Sequence, residues 1–434
     1  MMRHISDSQV FQSNLPGPET ITRSELPNGI VVLTRQNTVS HSVVLSGYIS
    51  AGSHLESREK LGLAHFAAVA LTRGTARQDF HALHDTIESA GASLGFGASV
   101  HTTGFGCRSL KDDLPLMLGL LSECLREPIF PSEEIERLRH QLLANLAIRA
   151  QNTSDVASLR FDEIVFKGHP YGRPEDGYVE TITEIERADL QDFHDRYYGP
   201  KGMVIAITGA VEPAEAVDLV KSTLGDWVNE SQIKGDNVGE VSPLASGYRE
   251  HIGIEGKFQT DLVMGTRGPT RLSPDYIPAS LGNNILGQFG LMGRIGDAVR
   301  EQAGLAYHAS TSLSAWKMAG SWEVTAGVNP SNLERAIDLI QVELQRFISE
   351  PVSESELSDS QTNFIGRLPL SFESNAGVAN ALLRLERYNL GFDYYQRYPD
   401  LVLQATPEGI LEAANRYLDL NKLCTISAGS ETQP

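Results

Sequence analysis

The sequence has 434 residues, of which 41% are hydrophobic, and its 55 acidic residues outnumber its 36 basic residues to give a formal charge of −19. This length is sufficient for two to four domains of ordinary size, each with its own core. The acidic balance disfavours nucleic acid as a ligand, and no apolar run approaches the ~18 residues of a membrane span. The composition therefore predicts a soluble globular protein that neither binds nucleic acid nor crosses a membrane.

The first 25 residues contain no hydrophobic stretch of the signal-peptide kind, and they combine Asp7 and Glu19 with Arg3 and Arg23. This mixture argues against both secretory and mitochondrial presequences. We therefore expect a cytoplasmic location. The three cysteines are widely separated and form no metal-binding or disulfide pattern, so we expect them to be reduced and buried.

Periodicity predicts a mixture of strands and helices along the chain. Apolar alternation predicts a strand over 42–49, a 3.6-residue period predicts a helix over 135–148, and an apolar run predicts a buried strand over 202–211. Residues 152–155 form a polar break after the first long helix. This mixture is typical of an α/β (α+β) fold whose helices cover one face of a mainly antiparallel sheet.

The chain contains an internal repeat at an offset of about 220 residues. An amphipathic helix over 190–197 leads into a strand over 203–209, and the same sequence of elements returns at 410–417 and 423–429. In both copies an Arg-Tyr pair ends the helix and a glycine ends the strand. The offset also places the polar break at 152–155 over 372–375. We therefore predict two homologous halves.

The boundary between the halves is predicted where periodicity is lost. Residues 229–249 are polar, with two glycines, one proline and several charges, which is typical of a linker with short extended pieces. The predicted domains are therefore an N-terminal half over 1–228 and a C-terminal half over 250–434.

A sequence motif in the N-terminal half carries the most information about function. It runs from Ala51-Gly52-Ser53-His54-Leu55-Glu56 through Gly62-Leu63-Ala64-His65-Phe66-Ala67-Ala68-Val69 to Gly74-Thr75. This stretch resembles the pitrilysin/insulinase family of zinc peptidases, whose pattern is GSxxExxxxxGxAHFxEHxxxxGT. In that family the inverted His-x-x-Glu-His carries the metal. Here only His65 is retained, since Ala68 replaces the general-base Glu and Val69 replaces the second His.

The third zinc ligand of the family is also absent. The resemblance places this Glu near Asn145, ahead of a His-Pro-x-Gly-Arg-Pro element that is present at 169–174, and no carboxylate occurs in 141–148. A catalytic zinc needs about three protein ligands and a water, and one imidazole does not supply them. We therefore expect no metal in this chain, with His65 as a structural remnant in or near the core.

The C-terminal half retains the family's other signature over 284–307. It resembles NxxLG...SRLxxxLREKxGLAY, in which an Arg and a Tyr seven residues later reach the substrate; these positions are Arg300 and Tyr307. A guanidinium can donate to peptide carbonyls, and a phenol can donate to the oxyanion that forms when water attacks. The alternative is that both residues are structural, because an Arg at a helix end and a Tyr opening a strand are common in α/β proteins.

Four further residues are candidates for substrate contact. Gly287, Gly290 and Gly293 recur at every third position, which indicates either close packing or a mobile segment at a substrate entrance; Gly293 replaces the Ser that is usual in the family. His101 lies in 99–103, which is predicted to be a strand and in the family runs beside the substrate.

The resemblance covers essentially the whole chain and implies two halves that face each other like a clamshell around a peptide chamber. It implies a non-catalytic, substrate-binding subunit of a heterodimeric zinc metallopeptidase, whose homologous partner carries the intact motif and the zinc. The alternative is a structural or interaction protein that kept the peptidase fold without its activity, as the core subunits of the respiratory bc1 complex did. A self-contained hydrolase would need a catalytic cluster that the sequence does not contain.

Overall fold

The computed structural model describes residues 15–233, 235, 238–290 and 292–430. These residues divide into two compact units that are not continuous in sequence. Unit 1 consists of the described parts of Met1–Leu146, Pro174–Asn237 and Leu368–Arg397, and unit 2 of those of Ala147–Arg173, Val238–Arg367 and Tyr398–Pro434. The boundary predicted at 229–249 concerns the repeated halves rather than these packing units, and it stays a prediction.

Unit 1 is built on a six-stranded sheet in the order β1-β2-β6-β3-β5-β4. All neighbouring strands are antiparallel except β2 and β6, which run parallel. The strands are Thr22–Glu25 (β1), Val31–Gln36 (β2), Ser42–Ile49 (β3), Ser93–Ala98 (β4), Thr103–Leu110 (β5) and Val204–Gly209 (β6).

Unit 2 repeats this arrangement with a five-stranded sheet in the order β7-β11-β8-β10-β9, in which only β7 and β11 are parallel. The strands are Tyr248–Gly253 (β7), Thr260–Gly268 (β8), Ala306–Ala315 (β9), Gly320–Val328 (β10) and Cys424–Gly429 (β11). Both sheets are therefore mainly antiparallel, as the sequence predicts.

Helices cover the sheets of both units. In chain order they are Leu63–Ala70 (α1), Phe80–Ser89 (α2), Leu114–Arg126 (α3), Ser132–Arg149 (α4), Thr153–Val165 (α5), Val179–Glu184 (α6), Arg187–Tyr197 (α7), Pro213–Leu224 (α8), Tyr276–Gly287 (α9), Gly293–Gly296 (α10), Leu333–Ser349 (α11), Glu354–Arg367 (α12), Asn375–Tyr388 (α13), Tyr394–Leu403 (α14) and Pro407–Tyr417 (α15). None of the helices in the described ranges combines the length and apolarity that a membrane span requires.

The internal repeat is confirmed at the level of whole elements. Helix α7 precedes β6, α15 precedes β11, and the bounds of both elements differ by 220 residues between the copies. All residues of β6 and β11 are buried, because each strand lies inside its sheet and is covered on both faces. The mixed α/β fold with two such sheets is therefore the one that the sequence predicts. The three cysteines, Cys107, Cys124 and Cys424, are free and buried.

Each unit contains one helix that comes from the other half of the sequence: α13 of the C-terminal half lies in unit 1, and α5 of the N-terminal half lies in unit 2. In unit 1, α13 packs on β3 and β6; the Asn375 side chain donates to the Ser42 carbonyl at 3.1 Å, and the Thr208 hydroxyl donates to the Asn375 carbonyl at 2.6 Å. In unit 2, α5 packs on β8 and β11, and the Thr153 hydroxyl donates to the Asp261 carboxylate. Each half of the chain therefore supplies part of the core of the other unit.

Candidate functional site

The retained residues of the zinc-peptidase motif support helix α1 rather than a metal. Glu56 is only 6% exposed, and its carboxylate accepts hydrogen bonds from the backbone N–H groups of Gly62 at 3.1 Å and Ala64 at 2.6 Å. These groups lie at the N-terminus of α1, where intrahelical partners are absent and negative charge is favoured. The motif carboxylate therefore fixes where α1 begins.

Removal of this cap should destabilise unit 1. We expect Glu56→Ala to lower the free energy of unfolding by about 1–3 kcal/mol, because two buried N–H groups lose their acceptor. Urea unfolding of the purified chain measures this difference. Glu59→Ala is the matched control: Glu59 is exposed three residues away, and its removal should change stability by less than about 0.5 kcal/mol. Equal stabilities of the two variants would contradict the capping role.

The segment before α1 is held against the turn between β4 and β5. The backbone N–H groups of Ser53 and His54 donate to the carbonyls of Ser99 and Val100, each at 3.0 Å. A Cβ atom at Gly52 would lie 2.4 Å from the Val100 oxygen, so only glycine allows this approach. The retained Gly52 therefore serves packing.

The structure corrects the prediction for His101. Strand β4 ends at Ala98 and β5 begins at Thr103, so His101 lies in the connecting turn and not in a strand. The turn is closed by a hydrogen bond from the Ser99 N–H to the Thr102 carbonyl at 2.8 Å. The His101 ring lies 5.5 Å from that of His54, centroid to centroid. Whether His101 contacts a substrate stays a prediction.

The positions that would hold zinc lie on two neighbouring helices. His65 and Val69 are half-buried on the same side of α1, Ala68 is buried, and Asn145 is exposed on α4. The Arg139 guanidinium on α4 lies 5.4 Å from the Phe66 ring on α1, and Arg73, just beyond the end of α1, donates to Gln141 on α4 at 2.9 Å. These contacts hold the two helices beside each other, but the side chains at the predicted positions are not zinc ligands.

The environment of His65 favours a neutral imidazole. Burial lowers the pKa of His65, and the nearby charge of Asp176 opposes this shift. Across the described residues, no group of three or more His, Cys, Asp or Glu side chains is arranged to hold a metal ion. Since Ala68 and Val69 offer no lone pair and Asn145 carries no charge, the donor set does not fit a catalytic zinc.

We expect the purified chain to contain less than stoichiometric zinc after dialysis and to hydrolyse no peptide, because a single imidazole at His65 cannot retain the ion. Mass spectrometry of the metal content tests this directly. The variant carrying Val69→His and Asn145→Glu restores the missing ligand types and should retain more zinc than the natural chain. One tightly held zinc per natural chain would contradict the assignment.

The glycine-rich segment of unit 2, described at residues 287–290 and 292–293, packs against the end of α9 through Gly293. Gly293 has a φ of +63°, and a Cβ atom there would lie 2.5 Å from the Ile285 carbonyl oxygen; a Cβ atom at Gly287 would lie 2.5 Å from the Thr311 nitrogen. Gly290 also has a positive φ, of +62°, but nothing lies within 4 Å of the position of its Cβ. Gly287 and Gly293 are therefore closely packed, which is one of the two interpretations of the glycine spacing. Substrate contact by all three glycines stays a prediction.

Side chains anchor both ends of this segment. The Gln288 amide donates to the Thr311 carbonyl at 3.0 Å on strand β9. The Arg294 guanidinium donates to both carboxylate oxygens of Glu356, at 2.7 and 2.8 Å, and holds the pKa of Glu356 down to about 2. Such a bidentate ion pair fixes both the distance and the orientation of the Arg294 guanidinium relative to the Glu356 carboxylate. These contacts therefore fix Gln288 to the middle of strand β9 and Arg294 to helix α12.

Arg300 lies on a π-helical turn over Asp297–Gln302, a rare geometry that often occurs at functional sites. Its guanidinium lies 3.5 Å from the Glu301 carboxylate and 4.0 Å from the Met292 sulfur. The same sulfur accepts a hydrogen bond from the Ala309 N–H at 3.4 Å. Met292 therefore links the glycine-rich segment, Arg300 and strand β9. The sequence analysis did not identify Met292 or Arg294, although Arg294 occupies the Arg position of the family signature.

Tyr307 lies at a β-bulge. Residues Ala306 and His308 of β9 pair with Val328 and Gly327 of β10, so Tyr307 is the extra residue on an edge strand. Bulges at sheet edges redirect side chains and are frequent beside active sites. The Tyr307 side chain is 86% exposed, so its hydroxyl is open to a ligand. The side chains of Arg300 and Tyr307 are thus two hydrogen-bond donors on unit 2 that lie outside its hydrophobic core.

Two family profiles match the chain: "Insulinase (Peptidase family M16)" over residues 31–175 and "Peptidase M16 inactive domain" over residues 184–364. The chain belongs to the insulinase (M16) peptidase family. Its M16 relatives include an uncharacterised zinc protease of Mycobacterium leprae, 26% identical over 91% of this chain and 88% of the relative. The beta subunit of the mitochondrial-processing peptidase of Saccharomyces cerevisiae is 25% identical over 86% of this chain and 83% of the relative.

Solved structures agree with this assignment. The peptidase M16 inactive domain from Pseudomonas fluorescens superposes with a TM-score of 0.87 at 26% identity and covers 95% of this chain and 99% of its own. A protease from Helicobacter pylori superposes with a TM-score of 0.89 over 97% of this chain and 100% of its own, at 18% identity. The second likeness shows the fold alone. In this M16 chain, Ala68, Val69 and Asn145 lie on helices α1 and α4, at the positions where the sequence resemblance implies a general base and two zinc ligands.

Proposed function

We propose that this M16 protein is the non-catalytic, substrate-binding subunit of a heterodimeric zinc metallopeptidase. The observation that carries the proposal is the contrast between its units. Unit 1 keeps the helix and its Glu56 cap but has Ala68 and Val69 where the family has Glu and His, whereas unit 2 keeps Arg300 and an exposed Tyr307 on a bulge. The exposed bulge leaves the Tyr307 phenol accessible to a bound peptide, which is what a substrate-binding subunit requires.

The roles of the two residues follow from their donors. The planar Arg300 guanidinium can donate to backbone carbonyls of a bound peptide, which orients the scissile bond. The Tyr307 hydroxyl can donate to the oxyanion that develops when water attacks. Zinc, the water and the general base belong on the partner, a homologous subunit with an intact His-x-x-Glu-His and downstream Glu. We place this assembly in the cytoplasm.

The alternative function is that of a structural or interaction protein that kept the M16 fold. The replaced ligands support both functions equally, so the two functions differ in the roles of Arg300 and Tyr307 and in whether an assembled complex hydrolyses peptides. In the alternative, Arg300 contributes to stability through Glu301 and Met292, and the Tyr307 hydroxyl has no role.

Assembly with a motif-bearing homologue tests the proposal. We expect a complex with one copy of each subunit when the chain is co-expressed with an M16 homologue from the same genome that carries His-x-x-Glu-His, because half of a composite site leaves binding surface uncovered. Size-exclusion chromatography with light scattering measures the mass, and peptide hydrolysis by the complex measures activity. The chain expressed alone is the control.

Three outcomes separate the functions. A complex that hydrolyses peptides while neither subunit does so alone supports the composite peptidase. A complex without hydrolysis supports the structural alternative. A chain that remains a monomer beside every such homologue contradicts the heterodimer.

A further inference from the structure

Unit 2 contains a cavity of about 310 Å³ away from the glycine-rich segment and the Arg300 turn. It lies between strand β8, the C-terminal end of α15 with the following turn, and the segment that leads into β7. The lining includes Pro243, Leu244, Arg267, Arg416, Tyr417 and Lys422. Three of these are cations, in a chain whose formal charge is −19.

Two of the three cations are already neutralised. The Lys422 ammonium lies 3.1 Å from the Asp419 carboxylate, and the Arg416 guanidinium lies 2.5 Å from the Asp275 carboxylate. Asp275 also accepts a hydrogen bond from the Tyr417 hydroxyl at 3.0 Å. These groups therefore make the cavity polar without adding net charge to it.

The third cation, Arg267, has no such partner. Its Nη1 donates to the carbonyl of Val241, and none of the carboxylates in the described ranges lies within ion-pair distance of it. Its side chain is half-buried, and this burial lowers the pKa of the guanidinium, which nevertheless stays charged at physiological pH. A partly desolvated cation without a counter-ion is costly, and a bound anion would offset that cost.

We propose that this cavity binds a small organic carboxylate, with Arg267 as its counter-ion. A guanidinium presents parallel N–H donors that match the two oxygens of a carboxylate. Pro243, Leu244 and the ring of Tyr417 provide apolar walls for the rest of the ligand. Because only one cation is uncompensated, a monoanion fits better than a phosphate dianion. The volume is at the lower end of the ~300–1,000 Å³ range of ligand pockets, so the ligand is small.

Such a carboxylate has two chemical sources, a free acid or the C-terminus of a peptide. Isothermal titration of the full chain with N-acetyl-phenylalanine should show one site per chain, and N-acetyl-phenylalaninamide should not bind. A pentapeptide that ends in phenylalanine, with a free or an amidated terminus, distinguishes the sources. Binding of the free-terminus peptide identifies peptide ends as ligands, and its failure beside a binding amino acid identifies free acids.

Two variants test the cavity itself. Arg267→Gln removes the charge and should weaken binding of N-acetyl-phenylalanine at least about tenfold. Leu244→Trp leaves Arg267 in place but fills the cavity, and it should also abolish binding, which keeps the test decisive if the first variant disturbs the contact with Val241. Arg335→Gln, on the exposed face of α11, is the control for lost charge and should bind normally. Melting curves confirm that each variant is folded.

The proposal is overturned if the acid and its amide bind equally, or if no binding is detected. It is also overturned if both folded cavity variants bind as the natural chain does. Tighter binding of inorganic phosphate than of N-acetyl-phenylalanine, lost in Arg267→Gln, would replace the carboxylate with a phosphate ligand. None of these outcomes depends on the assembly or on the Arg300 and Tyr307 functions.

Discussion

Tyr307→Phe should lower the kcat of the assembled peptidase by about ten- to a thousandfold, since removal of one oxyanion donor typically costs this much. The substitution removes only a hydroxyl. The side chain is 86% exposed, so neither the core of unit 2 nor the melting temperature should change. Steady-state kinetics on the reconstituted complex measures the effect. KM should change little, because the oxyanion forms only as the reaction proceeds.

Two companion variants make this result specific. Tyr276→Phe also removes a phenolic hydroxyl from unit 2, but at the far end of α9 from the glycine-rich segment, and it should leave kcat unchanged. Arg300→Ala should raise KM as well as lower kcat, because its donors also hold the ground-state peptide. If Tyr307→Phe turns over normally while Arg300→Ala lowers only stability or association, both residues are structural and the second function stands.

Local sequence patterns were sufficient to predict much of the fold. The helix and strand pairs α7–β6 and α15–β11 follow directly from local patterns, because each strand is a short run of mostly apolar or small residues and each helix has one apolar face. The exchange of α5 and α13 between the units was not predictable in this way. It depends on contacts such as Asn375 with Ser42, which lie more than 300 residues apart in the chain.

In the candidate site too, features set by residue type were predictable from the sequence, and features set by contacts between distant residues were not. The replacement of the family's general base and zinc ligands is predicted from Ala68, Val69 and Asn145 alone, because this chemistry depends on residue type. The placement of His101 in a turn and the bulge at Tyr307 depend on strand register, which is set by pairing with residues far along the chain. The sequence therefore identified Tyr307 as a candidate, and only the structure shows why its hydroxyl is available.

The same borrowed helix, α5, carries a carboxyl group that should make the stability of unit 2 depend on pH. Burial raises the pKa of Asp162 from its ordinary value of 3.8 to about 8, and the neighbouring Glu323, whose own pKa is raised by burial, adds to the shift. Between these two pH values the folded chain holds a proton that the unfolded chain has released. The folded state therefore becomes less stable as the pH rises from about 4 to about 8, and this contribution levels off at higher pH.

Asp162→Asn should remove most of this dependence, because the amide has a similar shape and does not ionise. Each pKa unit corresponds to about 1.36 kcal/mol, so the gain in stability at pH 8 is bounded at roughly 5 kcal/mol. Urea unfolding between pH 5 and pH 9, followed by the fluorescence of Trp316 and Trp322 in unit 2, measures it. Asp155→Asn, exposed on the same helix, is the control and should keep the natural pH profile. A natural chain whose stability rises over this range, or an Asp162→Asn variant with an unchanged slope, would show that Asp162 remains ionised in the folded protein.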